Sequence, residues 1–195
     1  MYYIMKFEDI PFPTKYHENF RLRIYYELPK LEYVVVVYLN LNPINIVPVR
    51  IHSACLTGDI FHSLKCDCYD QLDQSLQYIS HINMGMVIYL PQEGRGIGLV
   101  NKIKAYKLQN NGLNTYEANV KLNLPIDNRD YNICAVILED LGIRMIELIT
   151  NNPNKLNSLY TSNRLSYIKE KRFHIQPTKY SVKYMKDKES FFSRL

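Results

Sequence analysis

The amino-acid sequence predicts an α+β (mixed α/β) fold, a single compact domain in which strands and helices alternate through the middle of the chain. The length of 195 residues suits one domain that can bury a real core. The composition, with 47% hydrophobic and 22% charged residues, is ordinary for a globular protein. The sequence contains no internal repeat, low-complexity tract or convincing linker. We therefore expect one domain over residues 1–195, with a basic C-terminal segment from about residue 164.

Two segments before the first cysteine have the pattern of strands. Tyr33–Asn40 is rich in β-branched residues, which predicts a buried strand. Val47–Ala54 alternates apolar residues with Arg50 and His52, which predicts a strand with one buried face and one polar face.

The middle of the chain continues this alternation of helical and extended patterns. Asp70–Ile79 has apolar residues at helical spacing, and Met86–Leu90 is a short apolar run typical of a buried strand. The later predicted elements are a helix over Leu99–Asn111 stopped by Gly112, a helix over Asp130–Leu141 stopped by Gly142, a strand over Arg144–Thr150 and a short helix opened by Pro153.

The charge and the cysteine content indicate the surroundings of the protein. The longest apolar run, Tyr33–Leu39, is too short to cross a membrane, and the N-terminus lacks the pattern of a signal peptide. We therefore expect a cytoplasmic, reducing location, where the four cysteines are ligands or core residues rather than disulfides. The net charge of +5 makes a polyanionic partner plausible without identifying it.

Three of the cysteines, Cys55, Cys66 and Cys68, are spaced as C-x10-C-x-C between a predicted strand and a predicted helix. Three thiolates and a vacant position are typical of a catalytic zinc ion, whereas a fourth ligand would make the site structural. His52 and His62 are candidates for that fourth ligand. Three unrelated core cysteines are the remaining interpretation, and Cys134 is expected in the core of a helix.

The segment Pro91–Gly98 is a glycine-rich turn between a strand and a helix, and it carries Glu93 and Arg95. Exposed amides at a helix N-terminus favour anions, and arginine adds a bidentate phosphate donor. The turn has neither the Walker pattern nor the dinucleotide fingerprint, so a purely structural turn remains possible.

Other polar residues have two interpretations each. Tyr106 lies on the helical face defined by Leu99 and Ile103, which is typical of a core tyrosine. The run Asp127–Asp130 could be a helix cap with a solvated salt bridge. Thr150 and Lys155 bracket a strand end and a helix start, where ligands of α/β folds often bind.

Taken together, these segments closely resemble the GTP cyclohydrolase II family, in matching order and spacing from about Val47 to Lys155. Weaker similarity covers both ends, including YMKDK at residues 184–188. The motifs that carry the resemblance are VRIHSACLTGDIFHSLKCDCYDQL, QEGRGIGLVNKIKAYKLQ, the run Thr115–Asn119, DNRDY and TNNPNK.

The resemblance implies an enzyme that acts on GTP. Members of this family hydrolyse GTP to 2,5-diamino-6-hydroxy-4-(5-phosphoribosylamino)pyrimidine, formate and pyrophosphate, the first step of riboflavin biosynthesis. They use Zn²⁺ and Mg²⁺ and commonly form homodimers. We therefore expect one Zn²⁺ per chain, Mg²⁺ with the triphosphate, a homodimer, and neither nucleic acid nor membrane as a partner.

The resemblance also implies a set of site residues. It makes Tyr106, Asp127 and Arg129 the catalytic group, with Asp127 as proton acceptor and Arg129 as the residue assigned to attack at the α-phosphate. An electrostatic clamp is physically easier for Arg129, because a guanidinium is almost never deprotonated. The implied metal ligands are Cys55, Cys66 and Cys68, and the implied nucleotide contacts are Arg50, Ile51, His52, Ser53, Gln71, Glu93, Gly94, Arg95, Thr115, Thr150 and Lys155.

Three positions depart from the family pattern, and two other functions remain open. Ala54, Tyr69 and Pro91 stand where the family usually has Glu, Gly and Arg, which could weaken substrate or magnesium binding. One alternative is a relative that stops at the formyl intermediate or only releases pyrophosphate. The other is a zinc-stapled nucleic-acid-binding module that uses the aromatic residues of the basic tail, which are Tyr180, Tyr184, Phe191 and Phe192.

Overall fold

The computed structural model describes residues 3–28, 32–182 and 185–186, so Tyr184, Phe191, Phe192 and most of the YMKDK stretch lie outside the described residues. The backbone contacts divide the chain into two compact units. Unit 1 consists of Met1–His52, Leu72–Pro91 and Asp130–His174, and unit 2 consists of Ser53–Gln71, Gln92–Arg129 and Ile175–Leu195. The expectation of one domain over residues 1–195 stays a prediction.

A seven-stranded sheet, counted over the described residues, forms unit 1 in the order β1-β2-β3-β5-β4-β6-β7. Strands β1, β2, β3 and β5 pair antiparallel, whereas β4, β6 and β7 pair parallel. The strands span Tyr3–Pro11, Arg21–Leu28, Glu32–Leu39, Val47–Ser53, Gly85–Leu90, Met145–Ile149 and Tyr167–Lys171, numbered β1 to β7 in chain order.

The helices are divided between the two units. Helix α2 begins in unit 2 and continues into unit 1, which also contains α5 and α6. Unit 2 contains α1, a 3₁₀ turn, α3 and α4. The helices span Leu56–Asp59, Cys68–Ile82, Leu99–Asn110, Thr115–Lys121, Asn132–Asp140 and Pro153–Thr161, numbered α1 to α6, and the 3₁₀ turn spans Glu93–Gly96. No helix among the described residues is both long and apolar enough to cross a membrane.

The predicted mixed α/β class is confirmed, and the central elements lie within a few residues of their predicted positions. Gly112 and Gly142 follow helices with positive φ angles of 100° and 72°, as expected of residues that end a helix. Pro153 occupies the first turn of α6, where its missing N–H costs nothing.

Strand β4 differs from its prediction, because both of its faces are buried. Its burial is continuous from Val47 to His52, and the supposedly polar face includes Arg50 at 5% exposure and His52 at 2%. The strand lies inside the sheet between β5 and β6, so both of its edges are paired. When both faces of a strand are also covered, an alternating sequence does not expose either of them. Apolar residues of β3, β4, β5 and β6 pack with α5 in the larger core cluster.

The sequence patterns missed β1, β2, β7, α1 and α4. Strands β1 and β2 are joined to β3 by a polar cluster, in which the Asp9 carboxylate accepts hydrogen bonds from Arg21, Arg23 and Tyr38. Burial raises the pKa of Asp9, but these hydrogen bonds outweigh it and leave the pKa below its usual value. Helix α4 begins at a capping box formed by Asn114 and Glu117.

Gly85 allows β5 to start close to its neighbours in unit 1, and this generates a prediction. A Cβ atom on Gly85 would lie 2.8 Å from the carbonyl oxygen of Pro48 and 2.9 Å from Cγ1 of Ile79, at a φ angle of 140°. We expect Gly85→Ala to lower the free energy of unfolding by about 3 kcal/mol or more, because backbone strain and overpacking add.

The matched control is Gly142→Ala in the same unit. Gly142 also has a positive φ, 72°, but its nearest atom to an added Cβ is Cγ of Pro43 at 3.8 Å. Only the left-handed conformation then costs energy, so a loss of about 1–2 kcal/mol is expected. Urea denaturation of both variants measures the difference, and equal losses would show that the contact at Gly85 is unimportant.

Candidate active site

The three predicted metal ligands meet in unit 2. One sulfur from each of Cys55, Cys66 and Cys68 lies within 4.8 Å of the other two, and all four cysteines of the chain are free thiols. Cys55 lies two residues after the end of β4, and Cys68 is the first residue of α2. The turn between them is close-packed at Gly58, where an added Cβ would lie 3.0 Å from the Cys66 sulfur.

The distance between the Cys55 and Cys66 sulfurs is compatible with two ligands of one tetrahedral metal ion. Two thiolates on one zinc ion, each at about 2.3 Å from it, lie about 3.8 Å apart, whereas disulfide sulfurs lie about 2.05 Å apart. The Cys55 and Cys66 sulfurs are 3.7 Å apart. Among the described residues, no histidine or carboxylate joins this group, so His52 and His62 do not supply a fourth ligand. Cys55, Cys66 and Cys68 can therefore hold a metal ion with one position left open.

The charges around the cysteines favour a thiolate at Cys55. Hydrogen bonds from Cys66 and Cys68 lower the pKa of Cys55, and the Lys102 ammonium acts in the same direction against burial. The hydrogen bond with Cys55 raises the pKa of Cys66 to about 11. Burial lowers the pKa of Lys102, but the contacts with Glu93 and Cys55 outweigh it and raise the pKa above its usual value. The Lys102 side chain is therefore an ammonium at neutral pH.

The glycine-rich turn has an unusual backbone. Gly94, Gly96 and Gly98 have φ angles of 61°, 84° and 83°, and Arg95 between them also has a positive φ of 60°. A non-glycine residue in this region costs on the order of 1–3 kcal/mol, which is typical of functional sites. An added Cβ on Gly96 would lie 2.9 Å from the Asn128 carbonyl oxygen, so glycine is needed for this close approach.

This turn is joined to the segment that carries Asp127 and Arg129. The Asn128 amide donates to the Arg95 carbonyl at 2.9 Å. The Arg129 guanidinium donates from Nε to Asp127 Oδ1 at 2.8 Å and pairs with Oδ2. Burial raises the pKa of Asp127, but the hydrogen bonds and charge of Arg129 outweigh it, with help from Arg95, so the pKa lies below its usual value.

The interpretation of Asp127–Asp130 as a helix cap is supported, because Asp130 Oδ1 accepts from the amide of Asn132, the first residue of α5, at 2.9 Å. The expectation that its salt bridge is solvated was wrong. The side chains of Asp127 and Arg129 are only 12% and 13% exposed. Tyr131 is the N-cap residue of α5, and it makes no side-chain capping bond. The Asp127 carboxylate therefore fixes the plane of a guanidinium that is largely shielded from water.

Tyr106 faces a cavity, and its interpretation as a core residue on the face of Leu99 and Ile103 was wrong. Ile103 is 48% exposed, whereas Lys102 and Ala105 form the buried face of α3. The Tyr106 ring lies 5.1 Å from the Lys65 ammonium and 5.8 Å from that of Lys102.

One cavity in unit 2 contains most of the predicted residues of that unit. Its lining combines thiols, a phenol, two guanidinium groups and a carboxylate. The predicted residues that line it are Ser53, Cys55, Cys66, Cys68, Glu93, Gly94, Arg95, Tyr106, Thr115 and Arg129. The Ser53 hydroxyl oxygen is buried and has no hydrogen-bond partner among the residues that the structure describes.

Two predicted residues of unit 2, Gln71 and Asp127, are not among the residues that line the cavity. Asp127 is paired with Arg129, and the Gln71 side chain, 8% exposed, donates to the Asp67 carboxylate. Ala54, one of the positions that depart from the family pattern, also lines the cavity. Tyr69, another, stacks on His62 with ring centroids 3.8 Å apart.

The other predicted nucleotide contacts form a buried polar group in unit 1. Arg50 donates to the Ile149 carbonyl at 3.2 Å and lies 3.4 Å from His52 Nδ1. Lys155 donates to the Ile51 carbonyl at 2.8 Å. Thr150, 1% exposed, follows β6. The ends of β4 and β6 and the start of α6 thus bring Arg50, Ile51, His52, Thr150 and Lys155 together.

Comparison with known proteins decides the family. The profile of GTP cyclohydrolase II matches residues 6–165. The chain belongs to the GTP cyclohydrolase II family. It is 42% identical over 177 residues to the GTP cyclohydrolase-2 of Picrophilus torridus, covering 91% of this chain and 92% of that protein. It is 46% identical over 188 residues to the GTP cyclohydrolase-2 of Campylobacter fetus, covering 95% and 93%.

Some relatives of this GTP cyclohydrolase II family member are longer. The chain is 45% identical over 188 residues to the riboflavin biosynthesis protein RibBA of Endomicrobium trichonymphae, covering 96% of this chain but 46% of that protein. The chain therefore spans about half the length of the RibBA proteins it matches.

Four polar residues of the cavity were not assigned to the site from the sequence: Gln92, Lys102, Gln109 and Asn119. Asn119 is 3% exposed and donates to the Pro125 carbonyl at 3.1 Å, just before Asp127. Lys102 lies four residues before Tyr106, on the same side of a helix. That spacing was the only local signal for it, and a lysine on a helix is most often solvated.

The packing at Gly58 generates a prediction for the metal site. An added Cβ would lie 3.0 Å from the Cys66 sulfur and 3.2 Å from the Cys55 sulfur, so these thiols must move apart in Gly58→Ala. We expect metal affinity to fall by at least about tenfold, because ligand geometry fixes the site. Titration with Co²⁺, followed by thiolate-to-cobalt absorption, measures it.

The control is Gly112→Ala in the same unit, where an added Cβ meets no atom within 4 Å. This variant should bind Co²⁺ as the unmodified chain does, even if it is less stable. Equal affinity in the two variants would contradict the role of Gly58.

Proposed function

We propose that this chain hydrolyses GTP to 2,5-diamino-6-hydroxy-4-(5-phosphoribosylamino)pyrimidine, formate and pyrophosphate, as the first step of riboflavin biosynthesis. The observation that carries the proposal is the single cavity that three thiols, Tyr106 and Arg129 line together. The names of its relatives, GTP cyclohydrolase-2 and riboflavin biosynthesis protein RibBA, support it.

Cys55, Cys66 and Cys68 would hold one Zn²⁺, and Mg²⁺ would accompany the triphosphate. The donor set supports zinc, because three converging thiolates suit it and the sulfur spacing matches a tetrahedral ion. When bound, zinc supplies a Lewis acid that lowers the pKa of water towards neutrality, which the weakly electrophilic imidazole carbon of guanine requires.

The phosphates would bind to Arg129, Arg95 and the backbone amides of the glycine-rich turn. Arg129 is held by Asp127 through two guanidinium contacts, which keeps the guanidinium protonated and its plane fixed. This supports a clamp on the phosphates rather than a nucleophile at the α-phosphate. The lowered pKa of Asp127 makes its carboxylate a weak base, so its main task is to orient Arg129.

Tyr106 would act at the purine ring. Its phenol is on the wall that also contains the thiols, and it could donate a hydrogen bond to the centre that becomes tetrahedral as water adds. A second hydrolysis then releases the ring carbon as formate, and cleavage at the α-phosphate releases pyrophosphate. Two ammonium groups near the ring favour negative charge in this part of the cavity.

The remaining assignments to the nucleotide are part of the same proposal. The buried Ser53 hydroxyl, with no partner among the described residues, is suited to a hydrogen bond with the ligand. Gln71, Glu93, Gly94, Thr115 and the five residues of the unit 1 group are assigned by resemblance alone. A homodimer and a cytoplasmic location also stay predictions.

The experiment that tests the function is a product analysis. The zinc-loaded full chain is incubated with GTP and Mg²⁺, and formate, pyrophosphate and the mass of the pyrimidine are measured, with zinc content by elemental analysis. We expect formate and pyrophosphate in equal amounts and about one zinc per chain. Cys66→Ser should lose both the zinc and the ring opening.

Other outcomes would change the proposal in defined ways. A product that retains the formyl group would show that the chain stops early, and pyrophosphate alone would show that the ring is not opened. No change in GTP together with tight binding of single-stranded nucleic acid would favour the binding module. Stoichiometric zinc in Cys55→Ser, Cys66→Ser and Cys68→Ser would overturn the ligand assignment.

Tyr106→Phe tests the catalytic role of the phenol. We expect GTP affinity close to that of the unmodified chain, because the ring and its lysine contacts remain. Ring opening should slow by about 100- to 10,000-fold, the usual effect of a positioned acid or base. Single-turnover formation of the pyrimidine product measures this step.

The control is Tyr180→Phe, at a tyrosine that is 57% exposed in the same unit. This variant should turn over GTP normally. A normal rate in Tyr106→Phe as well would show that the hydroxyl of Tyr106 takes no part in the chemistry.

A further inference from the structure

Lys102 is a buried lysine that touches a predicted metal ligand. It is 8% exposed on α3, and its Nζ lies 3.1 Å from the Cys55 sulfur and 2.9 Å from Glu93 Oε1. A lysine is seldom buried unless its charge is paired, because desolvation of an ammonium is costly. The role of this buried charge can therefore be inferred from its two contacts, Cys55 and Glu93.

The side chain of Lys102 is fixed along its length. Glu93 Oε1 accepts from the ammonium and also from the Gly94 amide at 2.7 Å, while Oε2 accepts from the Leu56 amide at 2.6 Å. Near the backbone, an added Cβ on Gly94 would lie 3.1 Å from Lys102 Cβ, so the stem packs closely against the glycine turn. Lys102 is therefore held in place on both sides of its contact with Cys55.

We propose that Lys102 is a positioning residue that holds Cys55 as a metal-binding thiolate by an N–H···S hydrogen bond. This inference rests on the zinc site of the proposed function. Three thiolates around a dication leave a net negative charge, and the ammonium balances it inside a largely buried site. Outer partners of metal ligands typically change metal affinity about 10- to 100-fold, because they orient the ligand and tune its donor strength.

Glu93 is the second part of this arrangement. Its carboxylate binds the amide that follows Cys55 and the ammonium that contacts the Cys55 sulfur. One carboxylate thus restrains the backbone beside Cys55 directly and the Cys55 sulfur through Lys102. A lysine that binds phosphate through a mobile side chain would have a less constrained ammonium, whereas that of Lys102 contacts both Cys55 and Glu93.

Zinc release from the loaded full chain tests the inference. The rate of transfer to a chromogenic chelator is measured at neutral pH for Lys102→Met, Lys102→Arg and Lys104→Met. Lys104 is an exposed lysine of the same helix and serves as the matched control. We expect release to be about 10- to 100-fold faster in Lys102→Met and unchanged in Lys104→Met. Lys102→Arg, which keeps the charge and the donors, should restore most of the retention.

Circular dichroism shows whether the variants fold. If Lys102→Met does not fold, Lys102→Gln replaces it, with a smaller acceleration expected because a donor remains without the charge. Wild-type release rates in the folded uncharged variant would overturn the inference, and so would a raised KM for GTP with unchanged zinc release, which would make Lys102 a phosphate ligand.

The two proposals fail separately. If the unmodified chain binds no zinc, both the metal site and the role of Lys102 are overturned. If zinc release follows the expected order but GTP is not hydrolysed, the proposed activity fails and the role of Lys102 is supported.

Discussion

The carboxylate of Glu93 accepts three hydrogen bonds that connect the segments of the candidate site. One comes from the Leu56 amide beside Cys55, one from Gly94 in the glycine-rich turn and one from Lys102 on α3. Because all three donors bind one partly buried carboxylate, these partners cannot move independently. The positions of the Cys55 thiol and of the turn therefore depend on the same group.

The backbone of the glycine-rich turn is held in an unfavourable conformation by contacts with another segment. Positive φ angles at four of its residues would leave an isolated peptide disordered, and Arg95 is not a glycine. The turn is held by the amide of Asn128, whose carbonyl approaches Gly96 too closely for any side chain. The same contact fixes the distance in space between Arg95 and the Asp127–Arg129 pair. The contact that maintains the strained turn therefore also positions the side chains of Arg95 and Arg129.

Unit 1 buries two cations, Arg50 on the interior strand β4 and Lys155 on helix α6. Arg50 and Lys155 are each 5% exposed, and they donate to the backbone carbonyl groups of Ile149 and Ile51. Each hydrogen bond to a carbonyl group offsets part of the cost of burying the positive charge of its donor.

The sequence by itself determined the elements and the kinds of chemistry. Strands β3, β5 and β6, helices α2, α3, α5 and α6, and the glycines that end two of them follow from local periodicity and from φ preferences. The spacing of Cys55, Cys66 and Cys68 and the family motifs were also sufficient to nominate the thiols, because these signals lie within short segments.

Only the tertiary structure decided which faces are buried and which side chains meet. Local alternation suggested a polar face on β4 and a core position for Tyr106, and both were wrong because neighbouring strands and a cavity wall determine burial. The Leu56–Glu93 and Cys55–Lys102 contacts join residues 37 and 47 positions apart. No short-range pattern encodes such contacts, since they depend on how helix α3 packs against the cysteine turn. The sequence could therefore name the candidate metal ligands, whereas the lysine that contacts one of them became visible only in the folded chain.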